Sequence, residues 1–190
     1  MKKKTTTCSA IEWNTMLGLC ERLKADGYYR EYLLILLGSH FGLRISDLLL
    51  LTWEQLQSDY SFIVQEGKTK KVREIKLNIR IQEALDCMRK KMAIENTSNP
   101  IFSNRWGQPI SVSYVNKRMK WIFVRYRIKT QNPSTHTLRK TFGMRVFQMH
   151  GESERALIFL SEVFGHSSTA ITRRYLGITQ QEISSMYLDL

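Results

Sequence analysis

The sequence predicts one mainly α-helical domain, residues 1–190, with a small antiparallel β-sheet set into it, an α+β fold. Three observations carry that expectation. Apolar residues recur at helical spacing along most of the chain, and only residues 61–77 alternate in strand fashion. A chain of 190 residues with 43% hydrophobic and 11% aromatic side chains can bury a core without disulfides, which excludes a disordered basic tail. No Pro-, Gly- or Ser-rich linker, internal repeat or low-complexity run divides it.

The elements follow in order. Ser9 and Glu12 have capping-box spacing and start a helix that runs to about Ala25, where Asp26-Gly27 punctuates it. Tyr29 to His40 is apolar nearly all round and reads as a buried helix, which Gly42 ends. A short helix from about Arg44 to Leu51 and a brief turn from Thr52 come next. Ser61–Gln65 and Lys71–Leu77 alternate on either side of Glu66-Gly67, as a hairpin or a three-stranded sheet with basic residues at its turn. Arg80–Met92 is helical, and Asn96–Asn104 is a loop with a short strand at Ile101-Phe102. Ser111–Ile128 is a long amphipathic helix with bases on one face. Thr137–His150, Ser153–Phe164 and Thr169–Tyr175 are helices, and Thr179 with Glu182 caps a last short one.

Charge narrows the partner. Lys and Arg number 29 against 17 Asp and Glu, a net charge of +12, which points to a polyanionic partner, most simply nucleic acid, before an anionic membrane. The longest strongly apolar run, Tyr32–Leu37, is far too short to span a bilayer. The lysines at 2–4 are followed by polar residues, so no export signal is encoded. Cys8, Cys20 and Cys87 are odd in number and irregularly spaced, which argues against a disulfide framework or a zinc site and for a cytoplasmic protein. From Asn96 to Gly151 there is no acid, while Arg105, Lys117, Arg118, Lys120, Arg125, Arg127, Lys129, Arg139, Lys140 and Arg145 fall within the stretch. A second basic cluster lies in the hairpin. Lys70, Lys71, Arg73, Lys117, Arg118, Lys120, Lys140 and Arg173 are the residues expected to contact the nucleic acid, and the acid-free stretch by itself suggests on the order of 5–8 phosphate contacts.

Four local features carry chemistry, although each alone is compatible with an ordinary structural role. They are Gly42-Leu43-Arg44-Ile45-Ser46-Asp47, the basic turn Gly67-Lys68-Thr69-Lys70-Lys71, His136-Thr137-Leu138-Arg139, and Gly165-His166 followed by Arg173-Arg174-Tyr175. Together they supply what a phosphoryl transfer needs. Two guanidiniums can neutralise charge on phosphate oxygens. A phenol can attack phosphorus once deprotonated, and a lysine on a turn can protonate a departing alkoxide. No carboxylate cluster for Mg²⁺ is visible, so no metal or other cofactor is expected.

In combination and order, these boxes resemble the tyrosine recombinase/integrase family. The resemblance covers roughly Ser9 to the C-terminus and fills six catalytic positions: Arg44, Lys68, His136, Arg139, His166 and the nucleophile Tyr175, with Asp47 in support. It implies site-specific recombination through a 3′-phosphotyrosyl intermediate with a released 5′-hydroxyl and no ATP. Arg44 and Arg139 would hold the non-bridging oxygens, His136 would handle the tyrosyl proton, His166 would hydrogen-bond the phosphate, and Lys68 would be the general acid. It also implies a monomer in free solution that forms a homotetramer on paired sites, with the apolar tail after Tyr175 either docking on a neighbouring protomer or folding back on its own domain. Most members carry a helical core-binding domain ahead of the catalytic one. The 43 residues before Arg44 have room for two helices only, so that domain is not expected here. A type IB topoisomerase, which shares the arginine, lysine, histidine and tyrosine chemistry, and a non-catalytic DNA-binding module are the alternatives.

Overall fold

The computed structural model describes residues 7–57, 60–178 and Tyr187. Its elements run in the order α1 (Trp13–Ala25), α2 (Tyr29–Phe41), α3 (Ile45–Leu48), a 3₁₀ turn (Gln55–Gln57), β1 (Ser61–Gln65), β2 (Val72–Lys76), α4 (Ile79–Lys91), α5 (Val112–Arg125), α6 (Thr135–Met149), α7 (Glu154–Phe164) and α8 (Thr169–Leu176). The strands pair antiparallel, Ser61 opposite Lys76 and Gln65 opposite Val72. Among the described residues the sheet has two strands, so the hairpin reading holds and the three-stranded one does not. The strand expected at Ile101-Phe102 is replaced by isolated bridges, Thr52 to Pro100 and Ser103 to Pro109. The helix expected from Thr179 lies outside the described residues.

Local chemistry explains most of the boundaries. Asn78, Ser111, Ser153 and Ser168 cap α4, α5, α7 and α8 by accepting from backbone N–H groups of the first turn. The start of α1 differs from the expected one. Glu12 is the cap, its two carboxylate oxygens accepting from the Asn14 and Thr15 N–H groups. Ser9 is tied to the 130s loop instead, at 2.8 Å from the Thr130 hydroxyl. The capping-box spacing therefore marked the right region and the wrong residue. Gly42 ends α2 in the left-handed region at φ 60°. A Cβ there would also lie 2.5 Å from the Phe142 ring, so backbone and packing both demand glycine.

Two apolar clusters hold these elements. The larger gathers α1, α2, α4, α5 and the inner face of the hairpin around residues such as Leu33, Leu37, Phe62, Met88 and Ile122. The smaller contains Phe147, Leu157, Leu160, Phe164 and Leu176, from α6, α7 and α8. Helix α6 joins them, because Leu138 near its start packs in the larger cluster and Phe147 near its end in the smaller. Gly143 lets α7 and α8 approach closely: a Cβ would sit 2.6 Å from Leu176 and 2.9 Å from Phe164. The site lies where these clusters meet.

Candidate active site

The first wall of the site is built on α3 and the hairpin. Arg44 caps α3 in extended conformation, so its side chain is free of the helix ladder. Its Nη1 donates to Glu66 at 2.5 Å and its Nη2 to the Phe164 carbonyl at 3.1 Å, which fixes the guanidinium between the hairpin and the end of α7. Glu66 is buried at 1% exposure, an unusual place for a carboxylate. It also accepts from Arg73 Nη1 at 2.9 Å and from the Thr69 hydroxyl at 2.8 Å. Burial alone would raise its pKa, but the hydrogen bonds from Arg73, Thr69 and Arg44 outweigh it and hold the carboxyl below its usual value. Asp47, also buried, accepts from the Gly67 N–H at 3.1 Å. Lys68 is exposed at the tip, between Gly67 and Thr69.

The second wall comes from α6, α7 and α8. Ser134 and Thr137 form a reciprocal capping box that opens α6 and sets His136 on its first turn and Arg139 at the start of its second. Arg139 is 6% exposed and lies over the Phe164 ring at 4.8 Å, yet its Nη1 has no hydrogen-bond partner among the described residues. Burial lowers its pKa to about 10, so it stays cationic at neutral pH. Tyr175 lies near the end of α8. The ring centroids of His166, Phe164 and His136 are 5.2, 5.3 and 6.5 Å from its own. The Tyr175 Oη is buried and likewise unpartnered. Burial raises the phenol to about 12, against the opposing pull of Arg139.

Both imidazoles are biased toward the neutral form. Burial, then the charge of Arg139, lowers the pKa of His136 and of His166. His166 Nδ1 lies 2.9 Å from the Thr172 hydroxyl, which lies 2.8 Å from the Ser161 hydroxyl, which donates to the Leu157 carbonyl at 2.7 Å. A carbonyl only accepts, so the order of donors along this chain is set from that end. Ser161 gives its proton to Leu157, Thr172 to Ser161, and His166 Nδ1–H to Thr172. Neutral His166 is then the Nδ1-protonated tautomer, with a lone pair on Nε2.

Arg44, His136, Arg139, His166 and Tyr175 thus surround one place, and the Lys68 turn is anchored beside Arg44. The expected DNA contacts divide. Lys70, Lys71, Lys117 and Lys120 are exposed. Lys140 is a correction: it is 3% exposed, with Nζ donating to the Cys8 carbonyl at 2.7 Å and 5.1 Å from the centre of the Tyr175 ring, so it is an interior side chain and not part of the outer DNA-facing surface. Arg73 turns inward to Glu66 and the Phe41 carbonyl, and Arg118 is held by Glu31 at 2.6 Å and lies 3.8 Å over Trp121. Both are engaged within the protein, although their side chains keep 18% and 25% of their exposure. Arg173 is 3.3 Å from Glu154 on the neighbouring helix. Sequence reasoning missed Glu66, which it read only as part of a turn. The available signal was its position, an acid at the head of a strongly basic turn. Thr172 and Ser161 carried no signal, because nothing in the sequence shows that α7 and α8 set them against His166.

Two guanidiniums, two imidazoles and a phenol gathered on a helical domain at the junction of two clusters form a site with the groups that phosphoryl chemistry needs. Residues 9–182 match the phage integrase family, and the chain belongs to that family. It is 28% identical over 184 residues to the tyrosine recombinase XerD of Staphylococcus saprophyticus, covering 93% of this chain and 60% of that one. It is 30% identical over 158 residues to the probable integrase/recombinase YoeC of Bacillus subtilis, covering 83% of each. The chain therefore spans 60% of the length of that XerD. The fold is shared with XerA recombinase, at a TM-score of 0.71 and 20% identity over 95% of this chain and 64% of that one. It is shared equally with the Tn1549 transposon integrase bound to transposon right-end DNA, at a TM-score of 0.72 and 18% identity over 97% of this chain and 68% of that one.

Proposed function

We propose that this chain is the catalytic domain of a site-specific DNA recombinase that cuts and rejoins duplex DNA through a phosphotyrosyl intermediate. The observation that carries this reading is the Tyr175 hydroxyl. It is buried and has no hydrogen-bond partner among the described residues, beside a buried cationic Arg139 and flanked by two imidazoles.

The steps balance within the chain and the DNA. Tyr175 Oη gives its proton to neutral His136 and attacks the scissile phosphorus. The Oη–P bond forms as the bond to the 5′ oxygen breaks, and Lys68 protonates that oxygen. Arg44 and Arg139 take up the charge on the non-bridging oxygens. His166 donates to a phosphate oxygen from Nε2 once protonated, a form that an adjacent phosphate favours. Attack by a 5′-hydroxyl on the phosphotyrosine reverses the sequence and reseals a strand. Among the described residues, no cluster of His, Cys, Asp and Glu could hold a metal ion. No described helix is long and apolar enough to cross a membrane, and the net charge of +12 suits duplex DNA as the partner.

Assembly follows the same reading: a monomer in free solution and a homotetramer on paired sites. Exposed Ile158, Phe159 and Ile171 on α7 and α8, the latter being the helix that carries Tyr175, support contact between protomers there. The test of the function is a nicked suicide duplex resolved on a denaturing gel. The wild-type chain gives a covalent protein–DNA band, and Tyr175→Phe gives none while still shifting duplex DNA on a native gel. Relaxation of supercoiled plasmid without strand exchange would instead indicate a topoisomerase, and binding without any adduct a non-catalytic module.

A further inference from the structure

Outside the residues assigned above, the most heavily bonded side chain in the site is Glu66. We infer that Glu66 is a positioning residue that sets the Lys68 turn against Arg44, acting together with Asp47 as a clamp on the two residues that flank the lysine. The inference rests on the recombinase reading and deepens it.

The geometry is specific to that task. Lys68 itself makes no hydrogen bond or ion pair among the described residues and is exposed. An exposed lysine on a two-strand hairpin is a poor general acid unless the turn beneath it is held. Its two neighbours are held, each by a different buried carboxylate. Asp47, from α3, accepts the Gly67 N–H at 3.1 Å. Glu66, from the end of β1, accepts the Thr69 hydroxyl at 2.8 Å. The backbone of Glu66 closes the turn, with its N–H donating to the Lys71 carbonyl and its carbonyl accepting from the Lys70 N–H, both at 2.9 Å. Lys70 adopts φ 58°, a left-handed conformation that the turn imposes on a residue with a side chain.

The same Glu66 oxygen that accepts from Thr69 also accepts from Arg44 Nη1. One atom therefore ties the turn carrying the proposed acid to an arginine proposed to hold the phosphate. Its other oxygen takes Arg73, which donates in turn to the Phe41 carbonyl at the end of α2. The clamp is thus referenced to the larger cluster and not to the hairpin alone. At Gly165, a Cβ would lie 3.3 Å from Thr69 Cγ2 and 3.5 Å from Arg44 Nη2, so the turn and the arginine also meet the start of the Gly165-His166 box. A carboxylate that merely neutralised two arginines would need no bond to Thr69.

The test separates positioning from neutralisation and from inhibition. A randomised library of nicked duplexes is first captured covalently by the wild-type chain to define the scissile step. That duplex is then made with either oxygen or sulfur as the 5′ bridging atom, because sulfur leaves without a proton. Adduct formation is timed with wild type, Lys68→Ala, Glu66→Gln and Thr69→Val. Thr69→Val keeps the shape of the side chain and removes its bond to Glu66, together with the longer 3.4 Å bond that its hydroxyl accepts from the Lys71 N–H, so it covers the case in which Glu66→Gln unfolds. Expected on the oxygen substrate are a loss of about 10²-fold or more for Lys68→Ala and of about 10–10²-fold in kcat for Glu66→Gln and Thr69→Val, with KM little changed. On the sulfur substrate Lys68→Ala and Thr69→Val should return to near the wild-type rate, Glu66→Gln should recover all but the part of its loss that passes through Arg44, and Lys68→Ala combined with Thr69→Val should be no slower than Lys68→Ala alone. Equal losses on both substrates, a loss confined to KM, or a faster Glu66→Gln would overturn the clamp. If the library yields no wild-type adduct, the recombinase reading itself fails, and the clamp fails with it.

Discussion

The two walls of the site are built on opposite principles. On the α3–hairpin wall, Arg44, Glu66, Arg73 and Thr69 bond to one another and to backbone carbonyls, leaving Asp47 Oδ2 as the exception. On the α6–α8 wall, the Arg139 Nη1 and the Tyr175 Oη are buried with no partner among the described residues. A buried polar atom without a partner costs about 1–3 kcal/mol. One wall is therefore organised by the protein itself. The other carries a standing cost that an anion placed between Arg139 and Tyr175 would relieve. The difference teaches where selection for stability and for chemistry parts company: the first wall stabilises the fold and orients groups, while the second gives up stability to leave an arginine and a phenol available.

The sharpest way to break this contrast is to exchange each arginine for an apolar residue of similar length. Arg139→Met should slow adduct formation by about 10²–10³-fold, the cost of one oxyanion donor. It should leave folding stability unchanged within about 1 kcal/mol or raise it, because an unpaired buried cation is replaced by a packed side chain. Arg44→Met should also slow the reaction but should lower stability by about 1–3 kcal/mol, because it removes one of the donors to buried Glu66. Urea melts of both variants measure the stabilities. Equal stability losses would erase the distinction between the walls.

The α6–α8 packing gives the next effect. Gly143→Ala drives a methyl against Leu176 and Phe164 and should destabilise the chain by about 1–3 kcal/mol through overpacking. Because those two residues pack beside Tyr175, adduct formation should fall even where the variant remains folded.

Acid titration sharpens the second wall further. His136 and His166 are held below their ordinary value of 6.5 by burial and by Arg139, so they stay neutral as the pH falls to that value and charge only below it. If His136 accepts the tyrosyl proton, kcat/KM should be flat near neutral pH and fall on the acid side, below 6.5. By NMR, both imidazoles should titrate at higher pH in Arg139→Met, which removes a depressing charge. Unchanged midpoints would show that the arginine does not act on them.

The smallest effect lies on the DNA-facing surface. With Lys140, Arg73 and Arg118 engaged inside the protein, the salt dependence of binding should be shallower than the full basic count implies. Lys117→Ala or Lys120→Ala should each reduce the log–log slope by about 0.9 while leaving cleavage per bound complex unchanged. A slope unaffected by both changes would place DNA on another face.

The sequence made the helices legible because their apolar spacing and their caps are local features. Ser111, Ser153 and Ser168 each stand where a cap was needed. The four boxes were legible because their residue types match a chemistry in combination. Contacts between distant segments were not legible. Lys140 looked like every other base of the acid-free stretch, and only the return of the chain at Cys8 shows that it is buried. Glu66 looked like turn punctuation, since its partner Arg44 lies 22 residues away. The start of α1 is ambiguous in the sequence because two capping residues, Ser9 and Glu12, compete there, and tertiary contacts with Thr130 claim the first.

The central claim is that one phenol, among the eight tyrosines of the chain, becomes bonded to DNA. The most direct measurement is mass spectrometry of the adduct trapped on a nicked suicide duplex, after digestion of both protein and DNA. A single phosphotyrosyl peptide is expected, the one that contains Tyr175. A nucleotide remnant on any other tyrosine, or adduct formation that persists in Tyr175→Phe, would contradict it.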